Sequence, residues 1–227
     1  MKKHSFGFTL SEILIAMTVL GILGVVLAPI LSKMMPNQNK VMIKRSYYVI
    51  TNTVQSMLDD DTLYSPFGAV GSGNETTPIY ADSLFSNKEA VNYNGNNFSG
   101  DTKFAGIFSE MIAAKSLGNE KIKPVFRRGP GSRVFIESNY PAYVTKDGIK
   151  YIFYTPEYAD IVSLIIVDVN GNKGPNCYEG EYGNCPTRTK DFDQYTVGIF
   201  NDGRISISLN DVWIRTILDA SGSFNAE

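Results

Sequence analysis

"KKHSFGFTLSEILIAMTVLGILGVVLAPIL", residues 2–31, decides how the rest of the chain is read. From Ile13 to Leu31 it carries no charge. As an α-helix that run measures about 28 Å at about 1.5 Å per residue, close to the ~30 Å hydrocarbon core of a bilayer. One residue is out of place. Glu12 stands at the head of the run, where a carboxylate costs of order 2.5–3.5 kcal/mol at full membrane depth and less near the interface. A segment that served only as an anchor would carry leucine there. Lys2 and Lys3 precede the run and no basic residue follows until Lys33. Positive charge stays on the cytoplasmic side, so the bulk of the chain is expected outside.

An ordinary secretory signal has a shorter apolar core, no acid inside it, and a small-residue cleavage site after it. Here the punctuation comes before the run, at Ser5-Phe6-Gly7. A cut after Gly7 leaves Phe8 with a free amine, and Glu12 four residues on, on the same helix face. The amine of the same chain can pair with Glu12. So can that of a neighbour shifted along the axis, which would offset the cost of the buried acid and set the register of the next subunit.

On these residues the segment "GFTLSEILIAMTVLGIL" resembles the class III leader and N-terminal helix of type IV pilins and type II secretion pseudopilins. The likeness rests on the Gly7–Phe8 junction, the acid at Glu12, Gly21 and Pro29, and covers about 25 residues of the chain. It implies that a prepilin peptidase on the cytoplasmic face cuts after Gly7 and methylates the new terminus at Phe8. It also implies a single pass through the inner membrane. Assembly with other copies and related pilins would follow, driven by an ATPase through a membrane platform. Gly21, Gly24 and Pro29 weaken the helix, glycine by about 1 and proline by about 3 kcal/mol. Pro29 also removes a hydrogen bond, which predicts a kink or loosening between Gly24 and Ser32. In the family this segment bends when subunits pack. The bland alternative is that Gly and Pro are merely tolerated in membrane helices.

The chain has 227 residues and a formal net charge of -2. Beyond the apolar run, enough remains for one domain with a real core. That part is rich in Tyr, Phe, Asn, Gly, Ser and Thr, which suits strands and turns. The charge balance gives no reason to expect nucleic acid as a partner. The only histidine, His4, precedes the run, which argues against histidine metal sites and Ser-His or Cys-His catalysis downstream. No Gly-x-Ser-x-Gly, P-loop or dinucleotide fingerprint appears. The two cysteines, Cys177 and Cys185, read as a disulfide in an extracytoplasmic head. Closing so short a loop contributes roughly 2–3 kcal/mol.

The helix is expected to continue beyond the membrane. Tyr47, Ile50, Val54 and Met57 or Leu58 recur at helical spacing, and Asp59-Asp60-Asp61 sits badly against a helix C-terminal dipole, so the helix ends near Leu58. From Thr62 to Lys103, "FGAVGSGNETTP" and "NYNGNNFSGD" read as loop. Phe104, Ile107, Phe108, Met111 and Ile112 suggest a short helix ending near Gly118. Val134 to Glu137 is a short strand. Tyr143-Val144-Thr145 and Ile149 to Tyr154 flank a turn at Asp147-Gly148 and form a hairpin. Ile161 to Val169 is a strongly apolar strand. Tyr195 to Phe200 and Arg204 to Leu209 flank Asn201-Asp202-Gly203, a second hairpin. Asp211 to Leu218 is amphipathic.

Two clusters admit a chemical reading. In "DVNGNKGPNCYEGEYGNC", residues 168–185, Asp168, Asn170 and Asn172 alternate as in a calcium loop. Lys173 stands where the loop needs glycine, and no helices flank it. The choice is between one Ca²⁺ held in the head, as in some major pseudopilins, and a turn whose Asp and Asn cap their own backbone. In "KIKPVFRRGPGSR", Lys121, Lys123, Arg127, Arg128 and Arg133 surround Phe126. They offer either a grip on single-stranded nucleic acid or a solvated loop paired with acids of a neighbour.

The expectation is an α+β protein with a pilin-like layout, a long N-terminal helix packed on an antiparallel sheet. Its parts are a leader at 1–7, a transmembrane and assembly segment at 8–31, and an extracytoplasmic head at 32–227. The expected function is that of a non-enzymatic filament subunit. The competing reading is a membrane-tethered binding module or enzyme that never polymerises.

Overall fold

The computed structural model describes residues 9–34, 38–64, 69–70, 77–78, 90–127, 133–134, 137–155, 161–179, 192–200 and 203–219. The chain divides into two compact units, Met1–Gln38 and Asn39–Glu227.

In the first unit α1 runs over Leu10–Met34 without a break in its helical assignment at Gly21, Gly24 or Pro29. Every residue from 9 to 23 whose side chain is described is exposed, including Leu10, Ile13, Leu14, Ile15, Met17 and Leu20. Among the described residues, no helix is long and apolar enough to cross a membrane. The side chains of Gly24 and of 26–34, which complete the apolar run, are outside that description.

The second unit opens on α2, Gln38–Leu58, which ends where the acidic run begins, as expected. Ile43, Tyr47, Ile50, Val54, Met57 and Leu58 are buried on one face, while Lys40, Lys44, Arg45, Asn52 and Gln55 are exposed. Periodicity alone therefore found the packed side. The single long helix predicted from sequence is represented by two helical stretches, and 35–37 between them lie outside the described residues.

The region read as loop contains strands. β1 (Ala69–Val70) pairs with β2 (Thr77–Pro78), and β3 (Val91–Tyr93) pairs with β4 (Asn96–Phe98), both antiparallel. The second pair is a two-residue hairpin. Asn94 and Gly95 both have positive φ, 50° and 82°, the requirement of a type I′ turn, which Asn-Gly meets at least cost. Next comes α3, Lys103–Met111. It stops well short of Gly118, because Ala113 turns left-handed (φ 51°) and the Ala114 N–H donates to the Ser109 carbonyl. The chain then enters β5, Lys115–Ile122.

The remaining strands are β6 (Val125–Phe126), β7 (Arg133–Val134), β8 (Ser138–Val144), β9 (Lys150–Tyr154), β10 (Ile161–Asp168), β11 (Gln194–Phe200) and β12 (Ile205–Ile207). Six form one antiparallel sheet in the order β12-β11-β10-β9-β8-β5. The Asp147-Gly148 turn joins β8 to β9, and β11 pairs antiparallel with β12, as predicted, while 201–202 lie outside the described residues. Of the strand expected at Val134–Glu137, Val134 lies in β7, paired with β6, and 135–136 lie outside the described residues. The last helix is α4, Val212–Asp219.

The central strands β9, β10 and β11 are buried on both faces, which is why 161–169 reads as a continuous apolar run rather than an alternation. Tyr151, Phe153, Ile165, Val167, Tyr195, Val197 and Ile199 join a core with α2, α3 and α4. Their neighbours Ile152, Leu164 and Ile166 point the other way. There Phe126 lies on β11 at Gly198. A Cβ on Gly198 would stand 2.6 Å from Phe126 Cζ, so only glycine leaves room for the ring. A buried hydroxyl pair, Ser46 Oγ to Tyr195 Oη at 2.7 Å, ties α2 to the sheet.

Candidate functional site

The N-terminal segment begins its helix with a reciprocal cap. Thr9 N–H and the Thr9 hydroxyl both donate to Glu12 Oε2, each at 2.8 Å. In return Glu12 N–H donates to Thr9 Oγ1 at 3.3 Å. The first intrahelical bond runs from Ile13 N–H to the Thr9 carbonyl at 3.2 Å. This is a capping box with Thr9 at the N-cap and Glu12 three residues on, satisfying donors that the first turn leaves open. Glu12 therefore serves the start of its own helix, a use besides the pairing with an amine considered above. The signal was present in the sequence as Thr-x-x-Glu ahead of an apolar run. Glu12 Oε1 takes no hydrogen bond among the described residues. Gly7 and Phe8 lie outside the described residues.

In the head, the segment from Asp168 onward is held by acids on buried positions. Asp193 is fully buried. Its Oδ2 accepts from Asn176 N–H at 2.8 Å and its Oδ1 from Cys177 N–H at 2.9 Å. Backbone bonds from Val169 N–H to the Asp193 carbonyl and from Gln194 N–H to the Cys177 carbonyl close the base of the excursion. Cys177 is buried and is not a free thiol. Cys185, its expected partner, lies outside the described residues. Farther on, Glu179 accepts from Trp213 N–H in the first turn of α4, and Asp211 accepts from Thr196 N–H at 2.9 Å. Burial raises the Asp211 carboxyl well above the usual range.

Of the three residues considered as calcium ligands, Asp168 and Asn172 are engaged by donors of the protein. Asp168 Oδ2 accepts from Gln194 Nε2 at 3.0 Å, and Oδ1 from Asn170 N–H at 3.3 Å. Asn172 Oδ1 accepts from Lys150 Nζ at 2.9 Å. Asn170 Oδ1 is buried without a partner among the described residues. Burial raises the Asp168 carboxyl to about 6. Gln194 and, more weakly, Lys150 oppose that rise, and Asp193 adds to it. Among the described residues, no group of three or more His, Cys, Asp or Glu is placed to hold a metal.

The basic cluster does not form an aromatic platform. Phe126 is 1% exposed and packs with Leu164 and Phe200, so no base can stack on it. Lys121 pairs with Glu137 at 3.4 Å. Arg128 lies outside the described residues, as does the side chain of Arg133.

A cleft of about 450 Å³ opens beside α2, lined by Arg45, Asn52, Thr145, Lys146, Asp147 and Tyr151 among others. Its one carboxylate, Asp147, is paired with Arg45 at 3.1 Å. In that lining the Thr145 hydroxyl donates to Asp147, a carboxylate also held by Arg45, and both residues belong to the β8–β9 turn.

No curated protein and no solved structure was found to match the chain. Residues 2–28 match the family model for the prokaryotic N-terminal methylation motif, the class III prepilin leader of type IV pilins and pseudopilins.

Proposed function

We propose that the chain is a structural subunit, a pilin or pseudopilin, of a type IV pilus or a type II secretion pseudopilus. The observation that carries this reading is the methylation motif over residues 2–28, with Glu12 inside it at the head of an apolar helix. The precursor is anchored in the inner membrane with its head extracytoplasmic. A prepilin peptidase cuts after Gly7 and methylates Phe8. The subunit then enters a filament with copies of itself and related pilins, through a membrane platform and its ATPase. Glu12 pairs with the Phe8 amine of a neighbour, and Gly21, Gly24 and Pro29 let the helix adjust as subunits pack. Cys177 and Cys185 are bridged, which suits an oxidising compartment. The head is not an enzyme in this reading.

The test is Glu12→Gln. Glutamine keeps an acceptor for Thr9 N–H and so keeps the helix cap, while the charge that attracts an amine is gone. Membrane insertion and leader cleavage are expected to survive. The fraction of subunit recovered in sheared filaments, relative to the membrane pool, is expected to fall at least tenfold. A Gln variant that assembles as well as the parent would remove Glu12 as the assembly contact and favour a tethered module that does not polymerise.

A further inference from the structure

We propose that the oxygen-rich turn after β10 is closed by a cation of the chain itself, the Lys150 ammonium, and takes no calcium ion. Lys150, Asp168 and Gln194 stand directly opposite one another on β9, β10 and β11, forming one row at the end of the sheet. Lys150 is buried. Its ammonium meets Glu120 Oε1 at 2.9 Å, Glu120 Oε2 at 3.0 Å and Asn172 Oδ1 at 2.9 Å. An ammonium has three donors, and these three oxygens use them. The contact joins the edge strand β5, through Glu120, to the turn that leaves β10, through Asn172.

Both Asp168 oxygens and two backbone carbonyls of the turn face nitrogen donors. Asp168 is engaged by Gln194 and by Asn170 N–H. With its amide turned so that nitrogen faces them, Asn176 donates to Asp168 Oδ2 at 3.2 Å, to the Gly171 carbonyl at 2.7 Å and to the Lys173 carbonyl at 3.0 Å. Asn176 reaches that position from a left-handed backbone, φ 50°, which asparagine tolerates better than most residues. Calcium takes six to eight oxygens at about 2.3–2.6 Å. Here the Asn170 side-chain oxygen alone is buried without a partner among the described residues. A divalent ion would have to expel the ammonium or stand beside it, and like charges at that range repel strongly in a buried setting. The alternation of Asp168, Asn170 and Asn172 is thus a binding pattern already occupied from within.

The experiment compares thermal unfolding of the full-length protein in detergent, in EGTA and in millimolar CaCl₂, for the parent, Lys150→Met and Glu120→Gln. The parent is expected to unfold at the same temperature in both media. Lys150→Met is expected to unfold several degrees lower in EGTA and to recover part of the difference in calcium, because the substitution frees Glu120 and Asn172 for a metal. Glu120→Gln, which keeps a side-chain oxygen for the Lys150 ammonium but removes its counter-charge, is expected to fold and to lose stability without calcium dependence. A parent stabilised by calcium would overturn the proposal. So would a Lys150→Met protein as stable as the parent in EGTA. If Lys150→Met does not fold, a Glu120→Gln protein indistinguishable from the parent overturns it equally.

Discussion

Asp193→Ala removes the acceptor that holds the start of the cysteine loop. The carboxylate is fully buried and takes two backbone N–H groups, Asn176 at 2.8 Å and Cys177 at 2.9 Å. A hydrogen bond to a charged group contributes about 1.5–3 kcal/mol, and a buried donor left unmet costs a similar amount. Two such bonds give about 3–6 kcal/mol. Asp193 also raises the cost of charging Asp168, so its removal offsets part of this, leaving about 3–5 kcal/mol. At about 2–4 °C per kcal/mol for a head of this size, the unfolding midpoint should drop by about 6–20 °C. Asp193→Asn should lose at least half as much, since one carboxylate oxygen becomes an NH₂ that faces an N–H. The assay is near-ultraviolet circular dichroism on heating the full-length protein in detergent. A midpoint within about 2 °C of the parent for Asp193→Ala would refute the reasoning, because the loop would then be held by something other than this carboxylate.

Gly198→Ala forces a methyl to 2.6 Å from Phe126 Cζ; overpacking of this kind costs about 1–3 kcal/mol in urea unfolding, and adding Phe126→Leu should return part of it. Asp168 gives a pH signature of unusual sign. Its folded carboxyl titrates at about 6 against an ordinary 3.8, so the folded state holds the proton more tightly. The resulting stabilisation is fully present below about 3.8 and is lost as pH rises through about 6. About two units correspond to about 3 kcal/mol. Asp168→Asn should therefore flatten the stability profile between pH 4 and pH 6.5, and profiles that run parallel to the parent's would contradict the burial argument.

Much of the head was legible because the relevant signals are local. The Ile161–Val169 run, the Asp147-Gly148 turn and the one-sided spacing of Tyr47, Ile50 and Val54 each determine their element without tertiary help. The β3–β4 hairpin was missed although Asn94-Gly95 is a strong turn signal. Its flanks are short and asparagine-rich, so composition outweighed the turn. β5 was missed for a different reason. It is an edge strand whose residues 115–119 are exposed, so it carries no alternation, and Gly118 sits at an irregularity in its pairing with β8. Only pairing with β8 makes it a strand. At the N-terminus, Thr9 and Glu12 at capping-box spacing ahead of an apolar run are a local signal for the helix start, and the membrane cost of Glu12 is a separate property of the same residue. The cluster around Asp168 could not be read from spacing at all. The residues that occupy it, Lys150 and Glu120, come from other strands, at positions that only the sheet register brings together.

The proposed function requires residues 2–28 to be a prepilin leader and the start of an assembly helix. The decisive experiment is mass spectrometry of the N-terminal peptide of the membrane-extracted protein. The expected chain begins at Phe8 and carries one added methyl group on its amine. A chain that still begins at Met1, or one cut after the apolar run beyond Leu31, would contradict it.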